Sequence, residues 1–217
     1  SRGLGDVYKR QGQEAQWKNY WNESYAGINF PLKGYRELNM AGSSYGNPSY
    51  VTRQARLASL FINASYDYQG KYYGQVSFRR DGSSVFGSNN RWGNFWSVGG
   101  KWRVSEEEFL KDNAIFTNLA LRASYGTVGN QDIDWYAARG FYSAGYNYDS
   151  TPGIVPVSLN LPDLGWETSK KLNIGIDLTL ARRWNLTIDL YNEATSNMLF
   201  ELPISQVTGL SLSLIHI

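Results

Sequence analysis

The chain has 217 residues, with 21 Lys and Arg against 19 Asp and Glu, one His and no Cys. So even a charge balance gives no electrostatic case for a nucleic-acid partner, and the shortage of His and Cys removes the usual zinc sites and the commonest acid–base and thiol catalysts. No cofactor is expected, and no run of about 18 apolar residues is present, which excludes a spanning helix but not a spanning strand of about 9–11 residues with one apolar face.

The two ends read as a pair. If Asp6 to Gln11 is written GAT GTG TAT AAG AGA CAG, its reverse complement is CTG TCT CTT ATA CAC ATC, which encodes Leu212 to Ile217. Natural termini have no reason to encode an inverted repeat, and the pair resembles a translated transposase end from a sequencing library. Residues 1–11 and 212–217 are therefore expected to be adapter artefact, and 12–211 the biological part. Removing Arg2, Lys9, Arg10, Asp6 and His216 leaves 18 basic and 18 acidic residues and no His.

Residues 12–56 are polar and aromatic and read as a long connection. From Ala58 to Tyr68 apolar and polar residues alternate, with Ala58, Leu60, Ile62, Ala64, Tyr66 and Tyr68 on one side and only Phe61 out of phase. Period-two alternation is the mark of a strand with one buried or lipid-covered face. After a tight turn at 69–71 it resumes with Val76 and Phe78 against Gln75, Ser77, Arg79 and Asp81. Residues 82–93 form a longer link, and a third strand sets Trp96, Val98, Trp102 and Val104 against Ser97, Lys101 and Arg103. SEEEFL in the next link, 105–117, predicts a helical turn with Ser105 as its cap. The fourth strand places Leu119, Leu121, Ala123 and Tyr125 opposite Arg122 and Ser124. A long connection, 127–165, precedes the fifth strand, with Leu172, Ile174, Ile176, Leu178 and Leu180 against Lys171, Asn173, Asp177 and Thr179. A tight turn at 181–183 leads to the sixth, with Trp184, Leu186, Ile188 and Leu190 against Asn185, Thr187 and Asp189.

Short or compact links thus alternate with long ones, as periplasmic turns and extracellular loops do in an outer-membrane barrel. Tyr66, Tyr68, Tyr72, Tyr73, Trp166 and Trp184 crowd the strand ends as interface girdles would. This predicts an all-β, antiparallel transmembrane barrel segment, open in this chain, with a bilayer on one face. The rival is a secreted soluble β-sandwich that binds or cleaves glycans, although sandwich strands are usually about 5–6 residues long.

In the barrel reading Arg79, Asp81, Lys101, Arg103, Arg122, Lys171, Asn173, Asp177 and Asp189 face the lumen. Arg79 and Asp81 are expected to partner neighbouring strands rather than to grip a ligand. Three consecutive carboxylates, Glu106 to Glu108, cannot flank one glycosidic bond and are expected in a solvated turn, so no catalytic residue is assigned. Trp92, Trp135, Tyr136, Tyr142, Tyr146 and Tyr148 fall in predicted extracellular loops, where they either stack on a substrate or pack the loops together.

Three ordered blocks carry a resemblance. RRDGSSVFGSNNRWGNFWSVGGKWRVSEEEFL begins at Arg79, LALRASYGTVGNQDI at Leu119, and LPDLGWETSKKLNIGIDLTL at Leu161, the last followed by LTIDLYNEATSNML. Together they resemble the later barrel region of the SusC/RagA family of TonB-dependent transporters, over residues 56–209. Leu161 stands where the family commonly has Asn and Gly165 where it commonly has Lys. The resemblance implies that the chain contributes about six strands to a barrel of about 22 in the outer membrane of a Gram-negative cell. It also implies a plug domain, a SusD-type surface lipoprotein as lid, energy from a TonB complex, and import of glycan or peptide fragments. The loop aromatics are then candidates for substrate or lid contact.

Overall fold

The computed structural model describes residues 5–31, 41–44, 49–111, 113–203 and 212–216. Thirteen strands are present among the described residues. They are β1 (Asp6–Ser24), β2 (Gly27–Ile28), β3 (Ser43–Ser44), β4 (Ser49–Tyr68), β5 (Tyr72–Ser83), β6 (Trp92–Arg103) and β7 (Phe116–Asn130). The others are β8 (Tyr142–Tyr148), β9 (Thr151–Pro156), β10 (Glu167–Leu180), β11 (Trp184–Ser196), β12 (Leu199–Pro203) and β13 (Leu212–His216). Seven of them form one antiparallel sheet in the order β1-β4-β5-β6-β7-β10-β11, a meander interrupted only by small hairpins in its connections. The sheet is open: β1 and β11 each have one unpaired edge among the described residues.

The six alternating stretches are β4, β5, β6, β7, β10 and β11, longer at their ends than the alternation alone marks. Residues 12–56 depart from the expected connection. Most of their first half belongs to β1, which pairs with β4 from Asp6↔Asp67 to Ser24↔Ser49. Backbone pairing can hold such a strand without an apolar face, and β1 has none. The same pairing takes in Asp6 to Gln11, and Leu212–His216 pairs with β12. Ladder hydrogen bonds make no demand on side-chain identity, so neither partnership speaks to the origin of these residues. The expected loop at 127–165 contains the hairpin β8–β9.

Both tight turns form as expected, each with two successive left-handed residues: Gln69 (φ 57°) and Gly70 (65°), then Ala181 (48°) and Arg182 (56°). Such turns match the twist of paired strands. At 104–106 the expected helix is a single 3-10 turn, Val104–Glu106. Ser105 lies buried inside it and makes no cap; the Arg103–Glu106 ion pair at 2.7 Å spans the turn instead.

Register sorts the side chains into two faces. Cross-strand rows such as Leu121–Ile176–Ile188 and Ala123–Ile174–Leu190 lie on one face, and Arg122–Gly175–Asp189 on the other. The apolar face is left uncovered: Leu60, Ile174, Leu186 and Ile188 are 56%, 46%, 50% and 49% exposed. So large a continuous apolar surface marks a membrane or partner contact, since a soluble domain turns such a face inward. No second sheet packs on it among the described residues, as a sandwich would require.

Buried side chains gather instead at the loop end. Phe86, 2% exposed, packs on Trp166 with ring centroids 4.7 Å apart, and Trp166 meets Phe95 edge-on at 5.4 Å. Gly87 N donates to Leu164 O, Asn89 N to Pro162 O, and Asn89 Nδ2 to Asp163 Oδ1 at 2.7 Å. Trp166 Nε1 donates to Arg91 O at 3.0 Å. Trp166 is therefore a loop-core residue, not the girdle residue expected.

Candidate functional site

The polar face of the sheet holds most of the charges singled out from sequence. Arg79 donates from Nε to Asp81 Oδ1 at 2.6 Å, and from Nη2 to Glu14 Oε2 at 3.1 Å and to Ser59 Oγ at 2.9 Å. Its guanidinium lies 6.0 Å from the centroid of Phe61, the one residue out of phase between Ala58 and Tyr68. Phe61 thus serves as a platform on the polar face, and Gly12 opposite leaves room for its ring.

A second cluster spans three strands. Arg122 of β7 donates to Asp177 of β10 (Nε–Oδ2 3.1 Å) and pairs with Asp189 of β11 (Nη2–Oδ1 2.8 Å); Thr187 Oγ1 also donates to Asp177. Gly175 lies between Arg122 and Asp189 in the register. A Cβ there would sit 2.7 Å from Arg122 Cζ and 2.6 Å from Asp189 Oδ1, so a side chain at 175 would push the guanidinium off its path across β10. Two pleats further along the same strands, Lys171 pairs with Glu193 at 3.2 Å. These pairs are partly exposed, so solvent screening keeps each of them weak. Their larger effect is to leave a polar face with little net charge.

Lys101 and Arg103 line a cavity of about 740 Å³ on this face, with Tyr73, Gln75, Arg122 and Asn173. Asn173 Oδ1 is buried there without a hydrogen-bond partner among the described residues. Tyr73, expected among the girdle aromatics, lines this cavity too and its hydroxyl donates to Gly70 O.

The loop after β7 crosses the polar face at the opposite end of the sheet. GNQDI makes that crossing possible: Asp132 N donates to Asn130 Oδ1 and Ile133 N to Gln131 O, bending the chain as β7 ends. Arg53 of β4 then pairs with Asp134 at 2.8 Å, and Gln54 N donates to the Tyr136 hydroxyl at 2.9 Å. Trp135 lines two clefts under this crossing, one of about 410 Å³ shared with Tyr20, Val51 and Arg53, the other of about 220 Å³.

The other loop aromatics are dispersed. Tyr136 is committed to packing, with Phe141 edge-on at 5.9 Å and Arg139 5.1 Å from its ring. Tyr142 and Tyr146 stand exposed on the β8–β9 hairpin; the side chain of Tyr148 lies outside the described residues. Trp92 is not in a loop. It is the first residue of β6, on the apolar face, where its indole lies over Gly82. The 82–93 link is shorter than its sequence suggests because β5 and β6 extend into it as far as Gly82↔Trp92.

Glu107 also departs from its expected role. Its carboxylate accepts from the Tyr72 hydroxyl at 2.6 Å, from Trp102 Nε1 at 3.1 Å and from Lys71 Nζ at 3.1 Å. The Tyr72 bond foremost, then those from Trp102 and Lys71, hold the carboxyl below its ordinary range. Tyr66, Tyr68, Tyr72 and Trp102 run across the apolar face in ring contacts of 6.3 Å, and Glu107 satisfies the polar tips of the last two. That is an aromatic belt with its polar atoms turned to the aqueous side. No signal in SEEEFL distinguished Glu107 from its neighbours; only the strand register brings the three donors to it.

Comparison with known proteins follows the same lines. Residues 2–212 match the family described as TonB dependent receptor-like, beta-barrel. TonB-dependent receptor P39 of Formosa agariphila is 44% identical over 156 residues, 71% of this chain and 15% of that protein. TonB-dependent receptor SusC of Bacteroides thetaiotaomicron is 34% identical over 164 residues, 72% of this chain and 16% of that protein. This chain therefore spans about one sixth of those relatives. Among solved structures, the RagAB peptide transporter superposes with a TM-score of 0.85 at 26% identity, over 97% of this chain and 24% of that one. Sheet, sequence blocks and comparisons agree: the chain belongs to the TonB-dependent receptor β-barrel family, in its SusC/RagA branch, and is a protein of the Gram-negative outer membrane.

Proposed function

We propose that this chain is a stretch of wall in an active transporter that imports glycan or peptide fragments, energised through a TonB complex and covered by a SusD-type lipoprotein. The observation that carries the reading is the two-faced sheet: a bare apolar face against a polar face whose Arg79, Arg122 and Lys171 are matched by carboxylates. In this reading the first face meets lipid and the second lines the lumen. Charges paired within a wall leave a polar, weakly charged surface past which a neutral glycan or a peptide can move. Asp81 and Asp177 are each held by an arginine, which supports a passage over a catalytic centre. The cleft beside Trp135, Tyr20 and Arg53 offers an aromatic face and a cation to an incoming fragment. Residues 1–11 and 212–217 remain, in this reading, adapter sequence; the parent gene is expected to encode other residues there, beside a gene for a surface lipoprotein.

The test is a pair of adjacent substitutions in the full-length parent. Ile176→Arg sets a cation toward the bilayer core, at a cost of about 2–4 kcal/mol, and is expected to impair insertion. Asp177→Asn, facing the other way, is expected to leave assembly intact and at most to alter uptake. Heat-modifiable gel mobility and surface labelling read assembly; uptake of a labelled oligosaccharide or peptide reads transport. Equal damage to assembly from both would overturn the facing.

A further inference from the structure

From β4 to β11 in the main sheet, the outward positions of the apolar face carry no carboxylate and only three cations: Arg56, Arg80 and Lys170. All three sit at the loop end, one pleat beyond Ala58, Phe78 and Leu172 respectively. All are exposed, and among the described residues none has a side-chain hydrogen bond or an ion pair. At the turn end Lys71 is bound by Glu107 and Arg103 by Glu106, while Arg182 and Arg183, in the turn itself, have no side-chain hydrogen bond or ion pair among the described residues. Even the neighbour of Lys170 differs, since Lys171 faces the other way and has Glu193. Arg80 is also pre-oriented. Its guanidinium lies 5.3 Å from the centroid of the Trp92 ring, and that ring lies flat because Gly82 has no Cβ, which would otherwise come within 2.7 Å of Trp92 Cε3.

We propose that Arg80, Lys170 and Arg56 form a cationic fringe that binds the phosphates of an anionic glycolipid in the outer leaflet of the outer membrane. This rests on the lipid-facing reading of the apolar face. A cation is costly at the bilayer midplane but not at the interface, where an anionic headgroup attracts it. Three cations at one interface, with no acid on that face from β4 to β11, leave the lipid phosphates as their counter-charges. The glycolipid is favoured over a soluble anion because the cations continue the apolar face upward, so one molecule can place acyl chains on Phe78 and Leu172 and phosphate on Arg80 and Lys170. Arg80 and Lys170 are separated by β6 and β7, three inter-strand spacings or about 14 Å, so they engage separate phosphates.

The experiment uses the full-length transporter in detergent, offered bis-phosphorylated lipid A, its dephosphorylated form, or phosphatidylglycerol, with retained lipid counted by native mass spectrometry. Wild type is expected to retain phosphorylated lipid A in preference to both others, by about fivefold for each cation engaged. Arg80→Gln with Lys170→Gln is expected to abolish the preference, and Arg80→Lys to keep most of it. No preference in wild type, equal retention of phosphatidylglycerol, or full preference in the double variant would overturn the proposal. The wild-type comparison stands even if the double variant fails to insert. Failure of the facing itself would show separately, as normal insertion of Ile176→Arg.

Discussion

At the turn end of the sheet the key contacts are local: Lys71 and Glu107 are 36 positions apart, and Tyr72 and Trp102 face each other across one strand pair. At the loop end the contacts are distant: Arg91 and Trp166 are 75 positions apart, and Asn89 and Asp163 are 74. Polarity differs too. The turn end is organised by one carboxylate among hydrogen-bond donors, the loop end by an aromatic cluster around Phe86 with hydrogen bonds at its rim. A strand meander can therefore be fastened at one rim by electrostatics and at the other by packing, with its apolar middle left to the membrane.

The largest expected effect breaks only the loop end. Phe86→Ala removes a fully buried ring and should cost about 3–5 kcal/mol. Hydrogen exchange in the full-length parent is expected to rise at 83–91 and 161–166 and to stay unchanged at 69–71 and 104–111. Equal loosening of both ends would show that they are one cooperative unit. A smaller effect sharpens the turn end. Glu107 has its folded value lowered from the ordinary 4.5, so its contribution is present above that value and is lost as pH falls through the lower folded one. Fluorescence of a single-tryptophan variant retaining Trp102 should hold from neutrality to 4.5 and change only below it. Glu107→Gln should remove that transition; a transition centred above 4.5 in the parent would refute the hub. The smallest effect concerns the turn between β10 and β11, where Ala181 and Arg182 hold left-handed conformations that favour Asn and Gly. Ala181→Asn with Arg182→Gly should stabilise the parent by about 1 kcal/mol, read as a later heat-modification midpoint; an unchanged or earlier midpoint would mean the turn is not strained.

What sequence reading could reach followed from periodicity. Six strands showed themselves because their two faces differ in polarity, and β1 did not because Glu14, Gln16 and Lys18 alternate with Gln13, Ala15 and Trp17 without contrast. Alternation also placed Arg122, Asp177 and Asp189 on one face. It could not pair them, because pairing depends on register, nor reveal that Gly175 is the gap through which Arg122 reaches. Trp92 and Trp166 were misplaced for a related reason: both lie next to loops in the sequence, and only the length of β5 and β6 and the burial of Phe86 decide which one faces out.

The interlock at the loop end has a consequence for inheritance. Asn89 fits Asp163, Gly87 fits the Pro162 backbone, and Phe86 fits Trp166, so neither stretch can drift without the other. Surface loops ordinarily vary independently, yet these two are each other's packing partner and behave as a single locus split by some seventy intervening residues. Substitutions within 86–90 and 161–166 should therefore be epistatic, with double changes milder than the two single changes together, and accepted changes in one stretch should arrive with a matching change in the other.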